Sequence, residues 1–166
     1  MKKVLSVLVE NHAGVLARVS SLFCQRGYNI DSLTVSTTDD PSVSRITIGV
    51  NVHNEEDLEQ IMKQTEKLEE TRKVLCLVGD CIQRELLLVK VKADEEIRGH
   101  LREISEIYKA KIVDLSLGSM VFELTGAPDK IDGFLGVLEP YEILELCRTG
   151  ITAIERGDEC RIKAEE

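Results

Sequence analysis

The sequence predicts an α+β protein made of two consecutive βαββαβ units, on three observations. Apolar residues alternate strictly in several short segments, most cleanly at Ile46, Ile48, Val50 and Val52, as in strands with one buried face. Between these segments lie stretches with apolar residues every three or four positions, the spacing of helices with one buried face. The order strand, helix, strand, strand, helix, strand occurs once up to Gly79 and again from Arg84. That repeat sets two domains, 1–79 and 84–166, each near the low end of size for independent folding, and the join from Gly79 to Arg84 is too short for a free linker, so the halves are expected to touch.

The first strand runs from Lys3 to Glu10. After the turn Asn11-His12-Ala13-Gly14 a helix spans Val15 to Arg26, with Val15, Leu16, Val19, Leu22 and Phe23 on one face. Gly27 ends it where a left-handed residue is wanted. The second strand, Asn29 to Thr37, alternates imperfectly: Leu33 and Val35 share a face and Ile30 falls on the other. That pattern reads as a bulge, or as an edge strand with two useful faces. A turn cluster, Thr38 to Pro41, precedes the regular third strand. Asn54 caps a helix opening with Glu55-Glu56-Asp57, which complement the helix dipole, and its buried face is Leu58, Ile61, Met62 and Thr65. A fourth strand, Arg72 to Val78, ends at Gly79-Asp80.

In the second unit, Glu85 to Lys92 is a strand and Asp94 caps a helix carrying Ile97, Leu101, Ile104 and Tyr108. Ile112 to Leu117 and Met120 to Thr125 form a hairpin about a Gly118-Ser119 turn. Pro128 suits the first turn of a helix with Ile131, Phe134, Leu135 and Leu138 inside. Ile143 to Arg148 is the last strand, followed by Thr149-Gly150, Ile151 to Ile154 and a polar tail.

The bulk numbers exclude several classes. Hydrophobic residues make up 43% of the 166, enough for a packed core, and no apolar run is long enough to span a bilayer. The N-terminal apolar run is too short for a signal-peptide core, so a soluble, cytoplasmic protein is expected. A net charge of -9 and only 4% aromatics argue against nucleic acid as partner. Five scattered cysteines with no CxxC pair read as buried free thiols, and His12, His53 and His100 lack ligand spacing. No phosphate loop, dinucleotide fingerprint or HExxH occurs, and neither Cys24 nor Cys81 has a visible base. No catalytic residue and no metal ligand is assigned.

The chemistry that remains sits at the first turn. The N–H groups near Gly14, Val15 and Leu16 have no partner within their helix and lie at the positive end of its dipole, so a small anion is favoured there. Gly14 lets a ligand approach the backbone, and Asn11 and Asn29 carry amides that can accept from an ammonium. A free amino acid would suit both. The plainer reading is that glycine often follows a strand at a helix start, and that asparagine often only caps.

Particular words carry a family resemblance. They are Val9-Glu10-Asn11, Gly14-Val15-Leu16, Arg18-Val19, Leu22-Phe23 and Arg26-Gly27-Tyr28-Asn29-Ile30-Asp31-Ser32-Leu33 in the first half. In the second half they are Arg84-Glu85-Leu86, Thr125-Gly126, Lys130-Ile131 and Arg148-Thr149-Gly150. With these the chain resembles the small regulatory subunit of acetohydroxyacid synthase (acetolactate synthase) from about Lys3 to Gly157. The first half resembles an ACT domain, the amino-acid-sensing form of the ferredoxin-like βαββαβ fold. Ala13 departs from the proline usual there and loosens the turn without removing the N–H donors.

The resemblance implies a subunit without catalytic activity that binds and activates a catalytic subunit, a transferase of branched-chain amino acid biosynthesis. Thiamine diphosphate, magnesium and flavin belong to that partner, and no cofactor belongs to this chain. It also implies feedback inhibition by a branched-chain amino acid, usually valine, and a homodimer through edge strands of the ACT domains. The implied effector contacts are Asn11, Gly14, Val15 and Leu16 from one subunit and Asn29 and Ile30 from its neighbour. Leu33, Val35 or Leu16 would wall the valine side chain. The alternative is a free-standing ACT-type sensor acting on another enzyme.

Overall fold

The computed structural model describes residues 1–77, 79, 81–158 and 160–162. Val78, the expected end of the fourth strand, and Asp80 after it lie outside the described residues. The elements are β1 (Lys2–Glu10), α1 (Val15–Gln25), β2 (Ile30–Thr37), β3 (Val43–Asn51), α2 (Glu55–Glu66), β4 (Thr71–Cys76), β5 (Cys81–Lys92), α3 (Arg98–Tyr108), β6 (Lys111–Leu115), β7 (Ser119–Gly126), α4 (Pro128–Leu138), β8 (Ile143–Arg148) and β9 (Thr152–Glu155). The βαββαβ order therefore occurs twice. Two compact units result: Met1–Ile82 together with Gly150–Glu166, and Gln83–Thr149.

The first unit is an antiparallel sheet in the order β2-β3-β1-β4. Leu5, Val7, Ile46, Ile48 and Val50 form its inner face, and Val15, Val19 and Phe23 of α1 and Leu58 and Ile61 of α2 close the core over them. The period of two in the strands meets the period of 3.6 in the helices, which is the pairing the sequence predicts. The Asn54 side chain accepts from the Asp57 N–H at 2.7 Å, capping α2. Gly27, at φ +75°, ends α1 as expected.

The irregular β2 is both an edge strand and a bulged one. Ile30 pairs with Val50, but Ser32 pairs with Gly49 and Leu33 with Ile48, so Asp31 is the extra residue. The bulge re-phases the strand. Ile30, expected on the opposite face from Leu33, instead packs with it against the same core.

The expected domains are 1–79 and 84–166; by compactness, residues from Gly150 onward group with the first unit. The physical cause is packing on the outer face of the first sheet, where Ala153 and Ile151 join Val4, Leu75 and Leu77, and Arg45 Nη2 donates to the Ala153 carbonyl at 2.8 Å.

The second unit has the matching order β6-β7-β5-β8, with β9 pairing β5, whose first two residues belong to the first unit. Leu87, Val89, Val91, Phe122 and Leu124 pack against Leu101 of α3 and Ile131, Phe134 and Leu138 of α4. Three local expectations change. β5 begins at Cys81 rather than Glu85. The hairpin turns through Ser116-Leu117-Gly118, closed by the Ser116 N–H donating to the Ser119 carbonyl at 2.9 Å, and Ser119 already belongs to β7. Asp94 accepts from the N–H groups of Glu96 and Ile97 at 3.1 Å, so it caps a preliminary turn that leads into α3.

All five cysteines are free, but Cys76 alone is buried; Cys24, Cys147 and Cys160 are exposed and Cys81 is half-buried. Cys24 follows the buried Phe23 on α1, and one helical step carries it off the core stripe.

Candidate functional site

The β1–α1 turn is fastened from both sides. The Asn11 N–H donates to the Ser42 carbonyl at 2.7 Å, and its side-chain Nδ2 donates to the Pro41 carbonyl at 2.8 Å. Its Oδ1 accepts from the Ser44 hydroxyl at 3.0 Å. Asn11 thus splints the turn between β2 and β3 to the turn before α1. An arriving ammonium would use the second lone pair of Oδ1. The Glu10 N–H donates to the Glu70 carbonyl at 2.9 Å, and the buried Glu70 carboxylate pairs with Arg18 of α1. Sequence reasoning missed Ser44, Arg18 and Glu70 as braces of this turn, because none is adjacent to it in the chain.

Gly14 is the N-cap of α1 at φ +93° and ψ -18°, with no side-chain cap and no acidic residue in the first turn. The first helical carbonyl acceptor is that of Gly14, taken by the Arg18 N–H at 3.1 Å. The donors of Val15, Leu16 and Ala17 precede that bond and have no acceptor in the helix. A glycine is required here by conformation, since an L side chain rarely adopts that φ. Val15 turns its side chain inward at 3% exposure, so it offers only its backbone, whereas Leu16, expected on the buried face, stands 41% exposed because one helical step from Val15 carries it off the core stripe.

Asn29 and Ile30 enter the edge strand β2. Asn29 is exposed, and its Nδ2 donates to Asp31 Oδ1 at 3.2 Å. Ile30 spends its side chain on the core, which leaves its backbone for a ligand. Of the three candidate wall residues, Leu33 packs into the core, while Leu16 and Val35 remain 41% and 40% exposed.

The sheet register separates these residues into two groups. Glu10, at the turn, pairs with Val43, and Ile30 pairs with Val50. Val50 is seven steps along β3 from Val43, or roughly 24 Å at strand rise. Within one chain the helix-start group and the β2 group sit at opposite ends of the sheet and do not converge. Among the described residues no cluster of three or more His, Cys, Asp or Glu side chains is arranged to hold a metal. Among the described residues no helix is long and apolar enough to cross a membrane.

Comparison with known proteins adds to this geometry. Residues 5–73 match the model of the AHAS small subunit-like ACT domain, AHAS being acetohydroxyacid synthase. Residues 84–157 match the model of the small subunit of acetolactate synthase. The acetolactate synthase small subunit of Mycolicibacterium smegmatis is 47% identical over 92% of this chain and 90% of its own. The isozyme 3 small subunit of Salmonella typhimurium is 44% identical over 95% of this chain and 98% of its own. The crystal structure of the small subunit from Thermotoga maritima superposes with a TM-score of 0.86, at 36% identity, over 96% of this chain and 99% of that one.

Proposed function

From the premise that the chain belongs to the acetolactate synthase small-subunit family, we propose that it is a non-catalytic regulatory subunit that binds and activates the catalytic subunit and makes it sensitive to valine. Thiamine diphosphate, magnesium and flavin reside on that partner, and the complex works in the cytoplasm. The effector is a free branched-chain amino acid. Its carboxylate meets the N–H groups of Val15 and Leu16 beside Gly14, where unpaired donors and the helix dipole favour an anion. Its ammonium is held by the Asn11 and Asn29 side-chain oxygens and the Ile30 backbone.

The observation that carries this reading is the separation of the two groups along β3. A residue set that cannot meet within one chain fits a site completed by a second copy. The edge strand β2 is the surface through which that copy would dock, its unpaired backbone groups continuing the sheet. Leu16 and Val35, apolar and exposed, fit a wall against the valine methyl groups. A free-standing sensor is disfavoured because residues 84–157 also match the small-subunit family.

The test reconstitutes the synthase with its catalytic subunit and titrates valine. Leu16→Asp places a carboxylate in the exposed first turn of α1, where the dipole tolerates it and the effector's carboxylate does not. The expected result is normal activation with an inhibition midpoint raised by about tenfold or more. Gly14→Asp is the poorer variant, because φ +93° strains any side chain there. Inhibition unchanged in Leu16→Asp would place the effector elsewhere.

A further inference from the structure

Ser32 follows the bulge of β2 and is seated between two glycines from different parts of the chain. A Cβ built on Gly49 of β3 would come within 2.5 Å of Ser32 Oγ. One built on Gly150, which stands at φ +83°, would come within 2.9 Å of Ser32 Cβ. A methyl at either glycine would force Ser32 to shift. The Ile151 N–H also faces Ser32 Oγ, at a long 3.5 Å. Beyond it the chain is tied to β3 by Arg45 and the Ala153 carbonyl, and Ala153, 2% exposed, packs with Val4 and Leu77. On the same outer face, Arg45 Nε and Ser6 Oγ are buried with no hydrogen-bond partner among the described residues, so this face is polar as well as apolar. The segment from Gly150 to Glu155 is therefore a strap across the outer face of the first sheet, and its first residue rests on the effector strand.

We infer that Ser32, held between Gly49 and Gly150, is a positioning residue through which the C-terminal strap fixes the bulge of β2 and so sets Asn29 and Ile30 for the effector. The inference rests on the effector reading given above. A bulge is a soft point of a strand, and an edge strand has one neighbour only. Ser32 gives this one a second anchor.

The test uses the full chain and three variants. Gly150→Ala crowds Ser32. Gly157→Ala, in the same tail at φ +85° with no atom within 4 Å of the added methyl, imposes the same backbone strain without the contact. Ser32→Gly removes the anchor itself. Hydrogen exchange across β2 and calorimetric titration with valine are measured for each. Gly150→Ala is expected to speed exchange in β2 and to weaken valine about tenfold, within the range of ordinary coupling between sites. Ser32→Gly should do the same, and Gly157→Ala should do neither. Equal behaviour of Gly150→Ala and Gly157→Ala, or unchanged β2 exchange in Ser32→Gly, overturns the inference. Should Gly150→Ala fail to fold, Arg45→Met decides instead: it frees the strap at Ala153 without crowding β2, and unchanged β2 exchange overturns the inference. If the wild-type chain binds no valine, leucine or isoleucine, the effector reading itself falls, and the exchange comparison alone decides the role of Ser32.

Discussion

In the first unit both faces of the sheet are covered: Leu5, Val7 and Ile48 lie inside with the helices, and Val4, Ser6 and Thr47 are buried on the opposite side, where Ala153 packs. In the second unit the helices cover Leu87, Phe122 and Leu124, but Leu88 on the other side stays exposed and Lys90 beside it pairs with Glu145 at 3.1 Å. Its edge strands β6 and β8 are exposed along nearly their whole length, including Leu115, Leu144 and Leu146. The two units thus share one strand order and differ in what is done with the surfaces that order leaves over. A sheet clamped on both faces can hold an edge strand in a defined, bulged register, which a small-ligand site requires. A sheet with one open face and two open edges has no such clamp.

The largest effects come from the two cores. Phe23→Ala and Phe134→Ala each empty a fully buried site and should cost about 3–5 kcal/mol. Peptide-resolved hydrogen exchange should show the loss confined to β1–β4 for the first and to β5–β8 for the second. Loss of protection in both units from either variant would break the comparison, since the two would then be one cooperative body.

Ion pairs come next. In the second unit Glu85, buried, is held by Arg148, whose Nε lies 2.6 Å from it and whose Nη1 lies 2.7 Å from Asp132. Arg148→Ala strands that carboxylate and should cost about 3 kcal/mol. Arg18→Ala strands Glu70 in the first unit, with a smaller cost because the Arg18 side chain is already 60% exposed. Denaturant midpoints of the two variants check the ranking, and a larger loss in Arg18→Ala contradicts it.

Caps are smaller again. Asn54→Ala should remove about 1 kcal/mol, measured as a fall in melting temperature of the first unit, whereas α1, capped by glycine alone, has no such side chain to lose. The smallest effect is pH-dependent. Asp40 is held below its ordinary carboxylate range by the Ser42 backbone N–H and then by the Ser42 hydroxyl. Its contribution is full above the unfolded value and is lost as pH falls through the folded one. Amide shifts of Ser42 should therefore titrate below the normal aspartate range, and titration at or above that range would contradict the assignment.

Much of this was legible in the sequence because it depends on local periodicity: both βαββαβ orders, the core faces, the Asn54 cap, Pro128 at the start of α4 and the limits of β8. The bulge at Asp31 was visible as a broken alternation, although its effect, bringing Ile30 back to the core side, depends on pairing with β3. The positive φ of Gly14 and the splint from Asn11 to Pro41 and Ser44 depend on tertiary closure. The strap was not legible, since Gly150 to Glu155 reads as one more polar-apolar tail. Its signal lay in two glycines, Gly49 inside a strand and Gly150 after one, whose common neighbour Ser32 only the fold reveals.

The most direct measurement of the central claim is an amide chemical-shift map of the full chain titrated with valine. The expected result is saturable change at Val15, Leu16 and Ala17 and at Asn29 and Ile30, two regions at opposite ends of one sheet, with little change across Gln83–Thr149. Change concentrated in β5–β8, or at the helix start without the β2 entrance, would contradict an effector site built by two copies of the first unit.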